Sequence, residues 1–148
     1  MHNLRIHNGD WVVVCDGAKA LILENAGDAV ALNLKTKEVY AQPDQKTHQA
    51  GTGAPVRAAS SLDSRRSAVE QTDFHEQEEH KFLHKLLGHL DAEINAGKAK
   101  SLIMVAPPRA LGVLRQSYSH NLRAALRGEI DKDFVKLPVH EIEKHLAG

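Results

Sequence analysis

The sequence contains one cysteine and has no excess of either charge. Because Cys15 is the only thiol among 148 residues, no disulfide framework can stabilise the chain as a small secreted module, and a reducing cytoplasmic setting is expected. Nineteen basic residues balance nineteen acidic ones, which excludes a global positive field for nucleic acid. Any nucleic-acid binding must therefore come from a local patch.

Long apolar runs are also missing. No run approaches the ~20 apolar residues that span a bilayer, and residues 1–9 lack the apolar stretch of a signal peptide. We therefore expect a cytoplasmic protein without a membrane span, folded as one domain over residues 1–148. The ten histidines are scattered from His2 to His145, and since a metal site needs convergence, no metal site and no cofactor is predicted.

Three strands are predicted in the first forty residues. Residues 10–16 and 18–24 are rich in Val, Leu and Ile, and the turn dipeptide Asp16-Gly17 between them favours a hairpin. A third strand is predicted over residues 29–34, with an extension to Val39 and Tyr40. The first forty residues should thus form a meander.

A long loop and a helix follow the meander. Residues 41–71 are dominated by Gln, Ala, Ser, Gly and Pro, which predicts a long flexible loop. A helix is predicted from Asp73 to near Gly97. Its apolar stripe has the three-and-four spacing of a face that packs on a sheet, and consists of Leu83, Leu86, Leu87, Leu90 and Ile94. Extending that stripe brings Glu76 and Glu79 onto the same face.

The second half of the chain alternates strands and helices. The apolar run over residues 101–106 predicts a buried central strand parallel to an earlier one, and Pro107-Pro108 suits the start of a helix. Then come a short helix over residues 121–127 that stops at Gly128, a strand over residues 129–135 and a terminal helix that opens at Pro138. This order predicts an α/β fold: a mixed sheet with flanking helices.

Four motifs in order carry a family resemblance. They are Trp-Val-Val-Val-x-Asp-Gly-Ala-x-Ala (11–20), His-Glu-x-Glu-Glu (75–79), Ala-Pro-Pro-Arg-x-Leu-Gly-x-Leu (106–114) and Glu-Ile-Asp-Lys-Asp (129–133). Together they resemble the bacterial host-attachment protein family, whose members are described as required for attachment to host cells. That family in turn resembles the central domain of archaeal and eukaryotic peptide-chain release factors.

The resemblance implies a ribonuclease H-like sheet and a long loop that carries Gly-Gly-Gln in the release factors. The loop here offers Gln49-Ala-Gly-Thr-Gly53 but no Gly-Gly-Gln. Peptidyl-tRNA hydrolysis therefore lacks its motif, and a protein that is not an enzyme is favoured. No catalytic residue is assigned.

Two acidic features are candidate site residues. Asp16 ends a strand, where open α/β sheets commonly place ligand-binding groups, although Asp16-Gly17 also makes an ordinary turn. Glu76 and Glu79 could line a polar pocket, or simply complement the positive end of their helix. With Asp16 they supply part of the carboxylate set of a metal-dependent phosphodiesterase or esterase, but Ala106-Pro107-Pro108 ends the central strand without an acid.

The best basic concentration runs from Arg109 to Lys132. Arg109 and Arg115 could hold phosphates by charge-assisted bonds, with Arg123 and Arg127 nearby in sequence, and a solvated helix face is the competing interpretation. The predicted binding residues are Asp16, Gly17, Glu76, Glu79, Arg109, Arg115, Lys132 and Asp133. We hypothesise a domain that binds RNA or the ribosome. The alternatives are the phosphodiesterase or esterase and a protein-interaction factor that supports attachment to host cells.

Overall fold

The structure, a computed structural model, describes residues 5–41 and 75–147. Within these ranges five strands form one mixed sheet in the order β3-β2-β1-β4-β5. The strands are β1 (Trp11–Cys15), β2 (Lys19–Asn25), β3 (Leu34–Ala41), β4 (Leu102–Val105) and β5 (Leu126–Ile130). The helices are α1 (75–95), α2 (Pro108–Ser117), α3 (His120–Ala125) and α4 (Val139–Ala147). The predicted α/β fold with a mixed sheet and flanking helices is confirmed.

The two central strands, β1 and β4, are buried along their whole length. β1 pairs in parallel with β4, Trp11 lying opposite Leu102, while β1 pairs with β2 and β2 with β3 in antiparallel fashion. A strand covered on both faces has a continuous apolar sequence rather than an alternating one. The predicted central parallel strand and the predicted hairpin are therefore both confirmed.

Helices cover both faces of the sheet. Trp11 and Val13 point to a core shared with α1, α2 and α3, whereas Val12 and Val14 point to a core shared with α4. The predicted stripe of α1 is confirmed, since its four leucines are buried and Ile94 packs against the same core. Gly97 follows α1 with φ +78°, the left-handed conformation that ends helices.

Three of the predicted helix and strand boundaries are wrong, and the first of them is the start of the third strand. The third strand begins at Leu34 rather than at residue 29, because the Asp28 carboxylate accepts the backbone N–H groups of Val30 and Ala31 and closes a turn. The side chain of Val30 is 92% exposed. The predicted extension through Val39 and Tyr40 is correct.

The short helix and the last strand are also shifted. α3 ends at Ala125 rather than at residue 127, and β5 spans Leu126–Ile130 rather than residues 129–135. The last strand begins earlier than predicted because it pairs with β4, and Gly128 lies opposite Ile103 in that pairing. Phe134 and Val135 are buried in the core beneath α4 instead. The predicted loop over residues 41–71 begins one residue too early, because Ala41 belongs to β3. The rest of that loop and the predicted start of α1 at Asp73 lie outside the described residues.

The terminal helix matches its prediction. α4 spans Val139–Ala147 directly after Pro138, with Ile142 and Leu146 buried. Across the described ranges, no helix has both the length and the apolar character needed to cross a membrane.

Candidate functional site

The carboxyl ends of the three parallel strands meet at one edge of the sheet. Asp16-Gly17 follows β1, residues 107–109 follow β4 and residues 131–133 follow β5. α1 ends shortly before the start of β4, at the opposite edge of the sheet. The first turns of α1 therefore lie at the same edge as the carboxyl ends of the strands. We call these segments together the carboxyl edge. Seven of the eight predicted site residues lie there, which is where open α/β sheets commonly bind ligands.

Asp16 shapes the hairpin turn at this edge. Its Oδ1 accepts the backbone N–H groups of Ala18 at 2.8 Å and Lys19 at 2.9 Å, and its own N–H donates to the Lys19 carbonyl. This is the local bonding that makes aspartate common in turns. One carboxylate oxygen of Asp16 is therefore occupied by the turn.

Glu79 packs directly over the next residue, Gly17. A Cβ atom added to Gly17 would lie 2.6 Å from Glu79 Cγ, so a side chain at position 17 would collide with Glu79. A side chain at position 17 therefore fits only if the Glu79 side chain moves away from the hairpin turn.

Arg109 joins the starts of α1 and α2. Its Nη2 lies 3.3 Å from Glu76 Oε1 and 3.6 Å from Glu79 Oε1. The prediction that the two glutamates share a face agrees with this geometry. α2 has no acidic residue in its first turn, so these carboxylates also offset the unfavourable placement of a cation at a helix N-terminus. All three side chains are well exposed, and each pair contributes little stability.

The charge of the carboxyl edge is predominantly negative. Lys132 and Asp133 are exposed in the segment after β5, and Lys132 has no ion-pair partner among residues 5–41 and 75–147. The acidic side chains of the edge are Asp16, Glu76, Glu79, Asp131 and Asp133, against Arg109 and Lys132. Arg109 is already paired, so this edge attracts phosphate weakly.

Within residues 5–41 and 75–147, the carboxyl edge does not gather the ligands of a catalytic metal site. Among the described residues, the group of three ligand atoms close enough to share a metal ion is Glu38, His89 and Glu93, away from this edge. The residue that follows β4 is the buried Ala106 rather than an acid, as the sequence indicated. The described geometry therefore gives the phosphodiesterase alternative no support.

A second surface lies between α2, α3 and the edge strand β5. An open groove of about 400 Å³ is lined by Arg115, Tyr118, Arg123, Leu126, Arg127, Gly128 and Glu129. We call it the arginine groove. The predicted basic region thus divides into two surfaces: Arg115 lies in the groove, whereas Arg109 and Lys132 lie at the carboxyl edge.

Glu129 organises the α2 side of the groove. Its Oε1 accepts from Arg115 Nε at 2.7 Å, and its Oε2 accepts from the Tyr118 hydroxyl at 2.7 Å. The hydrogen bond and charge of Glu129 raise the pKa of Arg115. Burial, followed by the hydrogen bond to Glu129, raises the pKa of Tyr118. Arg115 is therefore held as a cation and Tyr118 as a neutral donor.

Arg123 stands next to this pair. Its Nη2 donates to the Arg115 carbonyl at 3.0 Å, and its guanidinium lies 5.8 Å from the centre of the Tyr118 ring. No carboxylate pairs with Arg123 within the part of the chain that the structure describes. It is thus the guanidinium of the groove whose charge is least compensated.

Arg127 has a structural partner. Its Nη1 donates to Asp10 Oδ2 at 2.5 Å and to the Arg5 carbonyl at 2.6 Å. Asp10 also accepts the backbone N–H of His7 and the Ser101 hydroxyl. Sequence reasoning missed this network, because nothing in a single sequence links Asp10 to Arg127.

The glutamates and histidine of the potential metal group were also missed. A signal existed, since His89 and Glu93 are one helical turn apart on α1, but the third member comes from β3. Cys15 is buried in the core that the sheet shares with α1, α2 and α3. Burial, with a smaller contribution from the Asp16 charge, raises the pKa of its thiol to about 12.

The fold and these surfaces define a mixed α/β domain with polar groups gathered at the carboxyl ends of its parallel strands. A family model described as bacterial archaeo-eukaryotic release factor family 12 matches residues 10–146, and the chain belongs to this family. The predicted relation to release factors is confirmed, while the host-attachment relation stays a prediction. No curated protein sequence matches the chain significantly.

Proposed function

We propose that this chain is a release-factor-like domain that binds RNA, in the setting of the ribosome, through the arginine groove. The observation that carries the proposal is the meeting of three guanidinium groups in one groove, from α2, α3 and β5, beside the single carboxylate of Glu129. Guanidinium groups hold phosphates by charge-assisted and often bidentate bonds. Membership of a release-factor family supports the ribosome as the setting.

The three arginines are not equally available to a phosphate. Arg127 is engaged by Asp10, and Arg115 uses its Nε atom on Glu129 while its side chain stays 58% exposed. Nη2 of Arg123 donates one hydrogen bond to the backbone carbonyl of Arg115. Arg123 is therefore the primary phosphate contact, with the free Nη groups of Arg115 beside it.

The groove suits recognition of the RNA backbone rather than its bases. Stacking of bases needs an accessible aromatic face, and the only aromatic side chain that lines the groove, Tyr118, is 9% exposed. Phosphate contacts fix position and carry no sequence information. Binding should thus depend strongly on salt and weakly on RNA sequence.

The carboxyl edge serves as an internal comparison. Arg109 belongs to the same helix as Arg115, but it lies between two glutamates. A phosphate near Arg109 would meet the charges of Glu76 and Glu79. Within the predicted basic region from Arg109 to Lys132, the proposal therefore assigns phosphate binding to Arg115 and Arg123.

Fluorescence anisotropy with a short labelled single-stranded RNA, over a series of salt concentrations, tests this proposal. Arg123→Gln should weaken binding several-fold for every RNA sequence and reduce the slope of log K against log salt by about 1. Arg109→Gln is the matched control, because Arg109 lies on the same helix as Arg115 but at the carboxyl edge, and this variant should behave as wild type. The proposal is overturned by absence of binding at low salt, or by equal losses in the two variants.

A further inference from the structure

Three metal-ligating side chains converge between β3 and α1, away from the arginine groove. His89 Nε2 lies 2.8 Å from Glu38 Oε1 and 3.8 Å from Glu93 Oε1. One ligand atom from each of the three residues lies within 4.8 Å of the others. All three side chains are partly buried. We propose that Glu38, His89 and Glu93 form a binding site for a divalent transition-metal ion, with Zn²⁺ as the preferred ion.

The distances suit a tetrahedral ion. With bonds of about 2.0–2.1 Å, two ligand atoms of a tetrahedral Zn²⁺ site are about 3.3 Å apart. The two separations from His89 Nε2, 2.8 Å and 3.8 Å, lie on either side of that value. Binding requires the three ligand atoms, which lie within 4.8 Å of one another, to draw together to that separation.

The ligands are carried by regular elements. His89 and Glu93 are four residues apart on α1, so they lie on one face of the helix, and Glu38 projects from β3 opposite them. Three protein ligands leave a fourth tetrahedral position for water, as in open zinc sites. An imidazole nitrogen with two carboxylate oxygens is a ligand set for Zn²⁺ and its neighbours, whereas Mg²⁺ and Ca²⁺ prefer oxygen ligands alone.

The surroundings support the ligands. The Tyr40 ring packs edge-on to the His89 ring, with centroids 4.8 Å apart. Lys98 Nζ approaches the other oxygen of Glu93, Oε2, at 3.9 Å, and leaves Oε1 for the ion.

The competing explanation is that His89 simply pairs with the two glutamates, without any metal ion. The two explanations differ in what added Zn²⁺ does. Free Zn²⁺ at one hundred times its Kd should raise Tm by about 9 °C, because the three ligands come together only in the folded chain. If no metal binds between these side chains, added Zn²⁺ should cause no saturable rise in Tm.

Isothermal titration calorimetry of the full chain with ZnCl₂, MnCl₂ and MgCl₂ tests the site. Wild type should show one saturable Zn²⁺ site that EDTA reverses, weaker binding of Mn²⁺ and none of Mg²⁺. His89→Gln and Glu38→Gln should each weaken Zn²⁺ binding at least tenfold. Glu38 lies on the edge strand β3 and is partly exposed, so its variant keeps the proposal testable if His89→Gln fails to fold.

The matched control is His140→Gln. His140 Nε2 lies 3.5 Å from Glu141 Oε2 on α4, which makes a histidine–glutamate pair without a third ligand among the described residues. Zn²⁺ binding should be the same in this variant as in wild type. The proposal is overturned if wild type shows no saturable Zn²⁺ site, or if binding survives in both His89→Gln and Glu38→Gln.

Discussion

Arg127 Nη1 lies 2.5 Å from Asp10 Oδ2, which joins the beginning of β5 to the residue before β1. The Asp10 carboxylate is 5% exposed and is also hydrogen-bonded by His7 and Ser101. Because Arg127 also lines the arginine groove, this ion pair positions the β5 wall of the groove.

Removing the cation should destabilise the protein. Arg127→Met leaves a buried carboxylate with two remaining hydrogen bonds, and we expect a loss of about 2 kcal/mol in the free energy of unfolding. Urea denaturation followed by circular dichroism measures it. Lys144→Met, which breaks the exposed Lys144–Glu141 pair on α4, should cost less than about 1 kcal/mol. Equal losses in the two variants would contradict this account of Asp10.

The contact between Gly17 and Glu79 makes a second prediction. Gly17→Ala places a methyl group 2.6 Å from Glu79 Cγ, and the resulting overpacking should cost about 1 kcal/mol. Glu79→Ala removes the atoms that are struck, so the double variant should recover more than half of that loss. Additive losses in a double-mutant cycle of unfolding free energies would show that the two residues do not meet.

Cys15 should be chemically inert in the folded protein. With its pKa raised to about 12, about one thiol in ten thousand is ionised at pH 8. Iodoacetamide should therefore label Cys15 only through unfolding, at a rate that rises with denaturant. Rapid alkylation of the native protein at pH 8 would refute the burial of this thiol.

The same shift gives a pH dependence with a definite sign. The pKa of the thiol is near its ordinary value of 9.0 in the unfolded chain, and burial raises it to about 12 in the folded one. Its contribution to stability is therefore complete below about pH 9 and is lost as the pH rises from there to 12. Cys15→Ala should reduce the fall in unfolding free energy over that range.

Local patterns predicted much of the fold because burial repeats along a single element. The leucines of α1 are spaced for one face, and the run over residues 101–106 has no polar break. The start of β3 was misplaced because the Asp28 side chain closes a turn inside an apolar stretch. β5 was misplaced because its register depends on pairing with β4, which no local pattern reveals.

The same limit applies to the candidate site: contacts within one helix could be predicted from the sequence, whereas contacts between distant elements could not. Glu76 and Glu79 could be placed on one face because they are three positions apart along a helix. The Arg127–Asp10 and His89–Glu38 contacts join residues 117 and 51 positions apart. The order of the strands brings the first pair together, and the packing of α1 on the sheet brings the second. Likewise the predicted basic region divides in two because α2 carries Arg109 and Arg115 to different surroundings.

Co-sedimentation with purified ribosomes over a salt series tests the central claim most directly. Wild type and Arg109→Gln should pellet with ribosomes at low salt and be released as salt rises. Arg123→Gln should be released at lower salt than either, because it has lost a phosphate contact in the arginine groove. Failure of wild type to associate with ribosomes at low salt, or release of all three proteins at the same salt concentration, would contradict the account.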